Sequence, residues 1–186
     1  GATDIPLNDV GREQARTTGQ LLASRPWDAI ITSPLSRARE TARIVAAEVG
    51  LAEPTTVAAL VERQYGAAEG MDWEEVEREY PNGAPVPGRE TREEVAARVL
   101  PVLTEIAAGR PGERILVVTH GGVIRTVLES IDPTTKHGAI TNGSVHSFEL
   151  VDGSLQLVAF NDPIEEESLG ISAEDLDEQN ALEARA

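Results

Sequence analysis

Apolar and polar positions follow one another along the chain with two spacings, which predict helices separated by short buried strands. A helical spacing covers residues 8–23, 37–49, 73–80, 92–108 and 121–130. Asn8 is placed to cap the first helix, Pro34 to open the second, and Gly50 to end it. In the first helix we expect Val10 on the buried stripe and Gln14 on the solvent face.

Continuous apolar runs predict two strands that are buried on both faces, at residues 28–33 and 114–119. Each of these strands leads into a helical stretch. Residues 144–151 and 154–160 flank Asp152-Gly153, a dipeptide typical of a tight hairpin turn. The pattern therefore predicts an α/β sandwich with one antiparallel pair toward the C-terminus.

Composition and charge exclude several classes of function. The 186 residues carry a formal net charge of −16, and they include three histidines and no cysteine. Disulfides and thiolate chemistry are excluded, and a histidine-rich metal cage is not expected. No nucleic-acid or membrane partner is expected, because the chain is acidic and no apolar run approaches the ~20 residues of a membrane span. We expect a cytoplasmic protein and leave open whether it forms a homo-oligomer.

The acidic surplus is concentrated at the end of the chain. Nine acidic residues and one arginine lie in residues 162–186, with few large apolar side chains among them. Such a composition is typical of a hydrated tail. We therefore expect one domain over residues 1–161 and an acidic C-terminal tail over residues 162–186.

Three segments carry side chains suited to chemistry. His120 stands where a buried strand meets a helix, and Gly121 and Gly122 expose backbone N–H groups there, which suits either an anion site or a structural histidine. Arg37 lies in the first turn of its helix, where a cation opposes the helix dipole, so recruitment to a site is favoured. Glu62 lies in a segment interrupted by glycine and suits either a general acid or an ordinary loop carboxylate.

The remaining polar candidates favour structural roles. His137 is expected at the surface and His146 within a strand. Arg39 and Arg43 have the spacing of a solvated helix face. Asn142-Gly143 is typical of a turn.

Four of these segments match sequence blocks of one family in order and spacing. Residues 1–15 resemble G-x-x-D-x-P-L-T-x-x-G-x-x-Q-A, and residues 33–42 resemble S-x-L-x-R-A-x-x-T-A. Residues 118–125 resemble V-x-H-G-G-x-x-R, and residues 142–145 resemble a late Asn-centred turn. Over about residues 1–160 the chain thus resembles the histidine phosphatase superfamily, also called phosphoglycerate mutase-like.

The resemblance implies a three-layer α/β/α sandwich with a mostly parallel sheet and one antiparallel strand near the C-terminus. It also implies catalysis through a phosphohistidine. One histidine attacks phosphorus, a carboxyl group protonates the leaving oxygen, and water then hydrolyses the phosphoenzyme. The substrate is a small phosphorylated molecule, and no metal or cofactor is implied.

Roles carry over by position. Arg37 corresponds to the arginine that clamps the phosphate, a task suited to its planar fork of donors. His120 corresponds to the second, phosphate-binding histidine, and Glu62 to the proton donor; these three are the expected catalytic residues. Gly121 and Asn142 are further phosphate-binding candidates.

The family's Arg-His-Gly signature, which carries the nucleophile, has no counterpart in this sequence. The missing piece would also supply a central strand of the sheet. We therefore expect the sequence to be part of a longer enzyme and the chain as it stands to be inactive. The alternatives are a fragment that folds only when that segment is supplied, and a non-catalytic member that binds phosphorylated ligands.

The substrate class rests on the segment that contains Glu62. Residues 62–66 resemble the mutase sequence E-R-H-Y-G, which makes Arg63 and Tyr65 candidate substrate contacts. Glycolytic mutases carry a longer basic insertion after it, and with one lysine in this chain a cluster of cations is not evident. We expect a phosphatase of small phosphorylated metabolites, with phosphoglycerate mutase-type transfer as the alternative.

Overall fold

The computed structural model of the protein describes residues 1–162. Helices within this range are Asp9–Leu22 (α1), Ser36–Val49 (α2), Trp73–Glu79 (α3), Arg92–Ala108 (α4) and Gly121–Ile131 (α5). The strands are Ala29–Thr32 (β1), Thr55–Thr56 (β2), Ile115–Val118 (β3), Ser147–Val151 (β4) and Ser154–Ala159 (β5). The predicted α/β class is confirmed. From residue 163 onward, the predicted acidic tail lies outside the described residues.

The sheet is parallel and has the strand order β2-β1-β3. Its register pairs Thr32 of β1 with Val118 of β3, so both strands end at the same edge of the sheet. Strands β4 and β5 form a separate antiparallel hairpin. The mostly parallel sheet is confirmed, and the antiparallel element is a pair of its own that is not hydrogen-bonded to the sheet.

Helices cover both faces of the sheet. Successive residues of a strand point to opposite faces, so neighbouring residues of β1 pack in different cores. Ile30 packs with α1 and α2 in one core cluster, which includes Leu22 and Val45. The next residue, Ile31, packs with α4 and α5 in a second cluster. The described chain thus has the three expected layers, with one apolar core on each side of the sheet.

One edge of β3 has no strand beside it among residues 1–162, since its pairing is with β1 alone. A cleft of about 2030 Å³ lies next to that edge, and it is lined by Leu116 and Val118 of β3 and by Phe148 and Leu150 of β4. We call it the central cleft. Its volume exceeds the roughly 300–1,000 Å³ of ordinary ligand pockets. The space between β3 and the hairpin therefore has room for more than a small ligand.

Several local expectations differ from the structure. In α1, Val10 is exposed and Gln14 is buried, because the helix packs on its neighbour through the face that carries Gly11 and Ala15. Helix α2 begins two residues after Pro34, at Ser36, and Asp4 accepts a hydrogen bond from the Ser36 N–H at 2.6 Å. Asp4, which is 32 residues away in sequence, thus caps the start of α2, and a local sequence pattern cannot reveal such a contact.

The two remaining histidines also depart from expectation. The side chain of His137 is only 6% exposed and lies 3.2 Å from Asp132, so it is not a surface residue. His146 precedes β4 by one residue. Its ring nitrogens contact the Ser144 hydroxyl at 3.0 Å and the Asn161 N–H at 3.2 Å, so both are already occupied.

Candidate active site

The candidate site lies at the carboxyl ends of β1 and β3, where open α/β sheets place their ligands. Ser33 follows β1 and is fully buried, and His120 follows β3 and is 8% exposed. The Ser33 Oγ and His120 Nε2 atoms are 2.7 Å apart, which joins the two strand ends. Ser33 lies within a sequence block that matched the family, yet its contact with His120 was not anticipated.

Burial determines the protonation of His120. Burial, reinforced by the positive charge of Arg37, lowers the pKa of His120 to about 3, against an ordinary value near 6.5. The imidazole is therefore neutral at pH 7. His120 stands at the N-cap position of α5, and its side chain makes no capping hydrogen bond, so the backbone N–H groups of the first turn point out of the helix without it.

Glu62 is buried, so it is not an exposed loop carboxylate. Its carboxyl oxygens accept hydrogen bonds from the N–H of Arg63 at 2.6 Å and from the N–H of Gly122 at 3.1 Å. Glycine at position 122 leaves room for this carboxyl group, because a Cβ there would lie 2.6 Å from the Glu62 Oε1 atom and would displace it. The carboxyl group is thereby fixed against the first turn of α5, next to His120.

Arg37 lies in the first turn of α2 and lines the central cleft together with His120 and Glu62. Its Nη1 and Nη2 groups donate to the carbonyl oxygens of Thr3 at 2.8 Å and Gly1 at 2.7 Å. A guanidinium has five N–H donors, so three remain for a ligand. The structure thus brings the three expected catalytic residues to one cleft.

The remaining phosphate-binding candidates line the same cleft. Gly121 is the first residue of α5, so its N–H has no partner within the helix. Asn142 is exposed in the turn before β4. That turn is held against α1, because the Thr18 hydroxyl donates to the Gly143 carbonyl oxygen at 3.2 Å. Arg63 and Tyr65, the expected substrate contacts, border a smaller cavity beside Gly121.

Arg98 of α4 supports the segment that carries Glu62, and nothing in the sequence pattern singled it out. Its guanidinium binds both carboxylate oxygens of Glu90, at 2.7 and 3.0 Å. It also donates to the carbonyl oxygens of Ala59 and Glu62. A helical spacing in the sequence cannot reveal these contacts, because the partners of Arg98 lie 8 to 39 residues away in the chain.

Among the described residues, no group of three histidine, aspartate or glutamate side chains is arranged to hold a metal ion. Within the same range, no helix combines the length and the apolar character needed to cross a bilayer.

Residues 1–163 match the family model described as histidine phosphatase superfamily (branch 1). The chain belongs to the histidine phosphatase superfamily. The resemblance inferred from the four sequence blocks is confirmed, and the described site occupies the ends of β1 and β3, where two of those blocks begin.

Relatives in this superfamily cover most of the chain. The chain is 35% identical over 164 residues to an uncharacterized phosphatase, PhoE, of Bacillus subtilis, an alignment that covers 87% of this chain and 84% of the relative. It is 32% identical over 183 residues to a metal-independent phosphoserine phosphatase of Arabidopsis thaliana, covering 91% and 76%. The solved structure of Bacillus stearothermophilus YhfR matches with a TM-score of 0.75 at 28% identity, over 86% of each chain. Superfamily membership and the two relatives named as phosphatases support a phosphatase-type hydrolase.

Proposed function

We propose that the protein hydrolyses phosphate monoesters of small metabolites through a phosphohistidine intermediate. One observation carries the proposal: Arg37, Glu62 and His120, far apart in sequence, line one cleft at the carboxyl ends of two paired parallel strands. A guanidinium, an imidazole and a buried carboxyl group together provide anion binding and proton transfer.

Each side chain has a defined task in this proposal. Arg37 and the N–H of Gly121 bind phosphoryl oxygens and stabilise the charge that develops on them in the transition state. His120 is neutral, so it donates one N–H to the phosphoryl group without a net charge of its own. Glu62 delivers a proton to the ester oxygen as the P–O bond breaks, so that the alcohol leaves uncharged.

The nucleophile in the proposal is a histidine nitrogen supplied by a further strand seated in the central cleft. The unpaired edge of β3 and the volume between β3 and β4 support such a strand. Among residues 1–162, His146 also lines the cleft, but both of its ring nitrogens are occupied. The nitrogen attacks phosphorus as the ester bond breaks, and water later attacks the phosphohistidine, passing its proton to Glu62 as the N–P bond breaks.

The decisive experiment measures phosphate release from p-nitrophenyl phosphate by the protein expressed from its natural start codon, with any segment that precedes Gly1. We expect turnover, and we expect substrate labelled with ³²P to leave protein-bound label that is stable to alkali and lost in acid, as an N–P bond requires. Phosphate binding without release would identify a binding module instead and would contradict the proposal.

The Arg37→Ala variant tests the assignment of the phosphate site. We expect kcat to fall by roughly 10²–10³-fold, as for the loss of one transition-state donor. Arg39→Ala is the matched control, because Arg39 is an exposed arginine two residues along the same helix. Equal kinetics for the two variants would remove Arg37 from the site.

Phosphoglycerate mutase-type transfer is the second candidate, supported by the likeness of residues 62–66 to the mutase sequence. It differs in the fate of the phosphoryl group, which passes to a second hydroxyl and not to water. Conversion of 3-phosphoglycerate to 2-phosphoglycerate without release of inorganic phosphate would favour the mutase, and phosphate release without isomerisation would favour the phosphatase.

A further inference from the structure

Ser33 carries a buried hydroxyl group to which the proposed function assigns no task. The residue follows β1 and is 0% exposed, and its Oγ atom lies 2.7 Å from Nε2 of His120. This distance is that of a hydrogen bond, in which either the hydroxyl or the ring nitrogen can be the donor. The other hydrogen bonds of the two side chains indicate which of them donates.

The surroundings of Ser33 favour the hydroxyl as the donor. The Leu35 N–H donates to the Ser33 Oγ atom at 3.3 Å, so the hydroxyl oxygen already accepts one hydrogen bond. Within residues 1–162, His120 Nε2 is the one acceptor that this Oγ atom contacts at hydrogen-bond distance. A buried donor without an acceptor is costly. The hydroxyl proton is therefore best placed on the line to Nε2.

The second ring nitrogen of His120, Nδ1, faces no donor of the described chain. A side chain at an N-cap position commonly accepts a hydrogen bond from a backbone N–H two or three residues later. His120 accepts none, and the N–H of Gly122 donates instead to the Glu62 Oε2 atom at 3.1 Å. The His120 side chain lines the central cleft, so Nδ1 is left for a ligand there.

A neutral imidazole carries a single proton, and its position decides how the ring meets an anion. Burial lowers the pKa of His120 to about 3, so the ring is neutral at pH 7. A ring that accepts a hydrogen bond at Nε2 holds its proton on Nδ1 and can donate it to a phosphoryl oxygen. With the proton on Nε2, the lone pair of Nδ1 would face that oxygen and repel it.

The sheet holds the two side chains in register. Thr32 is paired with Val118, and the Ser33 N–H donates to the Val118 carbonyl oxygen at 2.9 Å. Ser33 and His120 thus follow two strands that are hydrogen-bonded to each other up to the site. The hydroxyl and the imidazole therefore meet with little freedom to rearrange.

We propose that Ser33 is a positioning residue that holds His120 in the tautomer protonated at Nδ1, with this N–H presented to a phosphoryl oxygen in the central cleft. Ser33 does not touch the substrate and acts through His120 alone. The identity of the anion rests on the proposed function, whereas the tautomer of His120 does not.

Nuclear magnetic resonance measures the tautomer directly in protein expressed from its natural start codon and labelled with ¹⁵N-histidine. The ring proton Hδ2 couples strongly to Nε2 and weakly to Nδ1, so a long-range ¹H–¹⁵N correlation shows which nitrogen is protonated. The signals of His120 are those that disappear in His120→Gln. We expect a protonated Nδ1 and an unprotonated Nε2 at pH 7. A protonated Nε2 in the wild type would overturn the proposal.

Ser33→Ala removes the donor to Nε2. We expect the Nε2 signal to move toward that of a protonated nitrogen, because nothing then holds the proton on Nδ1. Ser33→Thr keeps a hydroxyl and should restore the wild-type signals. Thr32→Val is the matched control, since it removes a neighbouring buried hydroxyl that bonds to the Ser33 carbonyl oxygen and not to His120. An unchanged tautomer in Ser33→Ala would overturn the proposal.

Thermal unfolding first checks that each variant is folded. If Ser33→Ala is unfolded, Ser33→Cys replaces it, because a thiol fills the site and is a weak donor. The cysteine variant should then show the same movement of the Nε2 signal. Unchanged signals in that variant would count against Ser33 as alanine would.

Kinetics connect the tautomer with catalysis. We expect kcat for phosphate release to fall roughly 10- to 100-fold in Ser33→Ala, as for other hydrogen bonds that orient a functional imidazole. Thr32→Val should keep the wild-type kcat. A wild-type kcat in Ser33→Ala would overturn the role of Ser33 in positioning.

Inorganic phosphate separates this proposal from the proposed function, because its binding needs no turnover. We expect added phosphate to shift the Nδ1 signal of His120 in the wild type and to shift it less in Ser33→Ala. If no phosphate ester is hydrolysed and this difference is still observed, the phosphatase proposal fails and the role of Ser33 stands.

Discussion

His120 illustrates how burial, reinforced by a nearby positive charge, sets the protonation state of a side chain. Its pKa of about 3 in the folded protein lies well below the value near 6.5 of an unfolded chain. Between these two pH values the unfolded state binds the additional proton. The free energy of unfolding must therefore fall as the pH falls through this window, by up to about 1.4 kcal/mol per pH unit for one proton.

The variant His120→Gln should remove this dependence, because an amide keeps a polar contact to Ser33 and does not titrate. Urea unfolding of both proteins at pH 7 and at pH 5 measures how the free energy of unfolding depends on pH. We expect the wild type to lose more stability than the variant between these two pH values. Equal losses in the two proteins would show that His120 is not buried as a neutral ring.

Gly122 sets the position of Glu62, and this contact is testable by adding one methyl group. In Gly122→Ala the new Cβ would lie 2.6 Å from the Glu62 Oε1 atom, so the carboxyl group must move. A displacement of about 1 Å at a catalytic group costs roughly 10²-fold in rate. We expect kcat to fall by about that factor in steady-state assays, with little change in thermal stability.

Gly138→Ala provides the comparison, since a Cβ at that position meets only ordinary van der Waals contact at 3.7 Å. If kcat is undiminished in Gly122→Ala, catalysis does not depend on the position of the Glu62 carboxyl group against α5.

At the scale of elements, α4 acts on the site through Arg98. The side chain is 23% exposed and that of its partner Glu90 is 15% exposed, so the pair is largely shielded from water. Removing the guanidinium leaves a carboxylate and two carbonyl oxygens without their donor. We expect Arg98→Met to lower the free energy of unfolding by about 2–3 kcal/mol in urea titrations and to lower kcat as well, because the Glu62 segment loosens.

Arg110→Met is the control for this variant. Arg110 pairs with Glu113 on the surface, where an ion pair contributes about 0–1 kcal/mol. A stability loss of the same size in both variants would mean that Arg98 acts as an ordinary surface charge.

Local signals accounted for most of the elements. Thr91 and Asp72 each form a capping box, and Asn8 and Gly50 cap the ends where the sequence predicts them. The start of α2 was mispredicted because its cap comes from Asp4, a residue distant in sequence.

The site was predictable in part because its residues also lie beside local signals. Arg37, Glu62 and His120 each stand next to a strand end or a glycine. The two guanidinium groups at the Tyr65 ring could not be predicted in the same way. Arg63 and Arg89 come from separate segments of the chain, and only packing brings them together.

At the scale of the whole molecule, Arg25 and Asp162 attach the hairpin to the rest of the domain. Arg25 binds both carboxylate oxygens of Asp162 at 2.8 and 3.0 Å, and the Ser147 hydroxyl donates to the same carboxylate at 2.6 Å. Asp162, which the sequence assigns to the tail, is thus part of the folded domain. Its hydrogen bonds with Arg25 and Ser147 lower its pKa to about 2.

The depressed pKa predicts a pH-dependent stabilisation. The contribution of Asp162 is complete above its ordinary value near 3.8 and is lost as the pH falls toward 2. We expect Asp162→Asn to lower the free energy of unfolding at pH 7 by about 1 kcal/mol, since Arg25 is 36% exposed and solvent screens the pair. The difference from wild type should shrink at pH 2. A variant equal to wild type at pH 7 would contradict this linkage.

The central claim is that Arg37, His120 and Glu62 form one phosphate site beside the open edge of β3. A crystal structure with tungstate, whose anomalous signal locates a phosphate-like oxyanion, tests it most directly. We expect tungstate in the central cleft, hydrogen-bonded to the Arg37 guanidinium and the His120 imidazole, with the Glu62 carboxyl group beside it. Tungstate bound elsewhere, with no contact to Arg37 or His120, would show that these residues do not form a phosphate site.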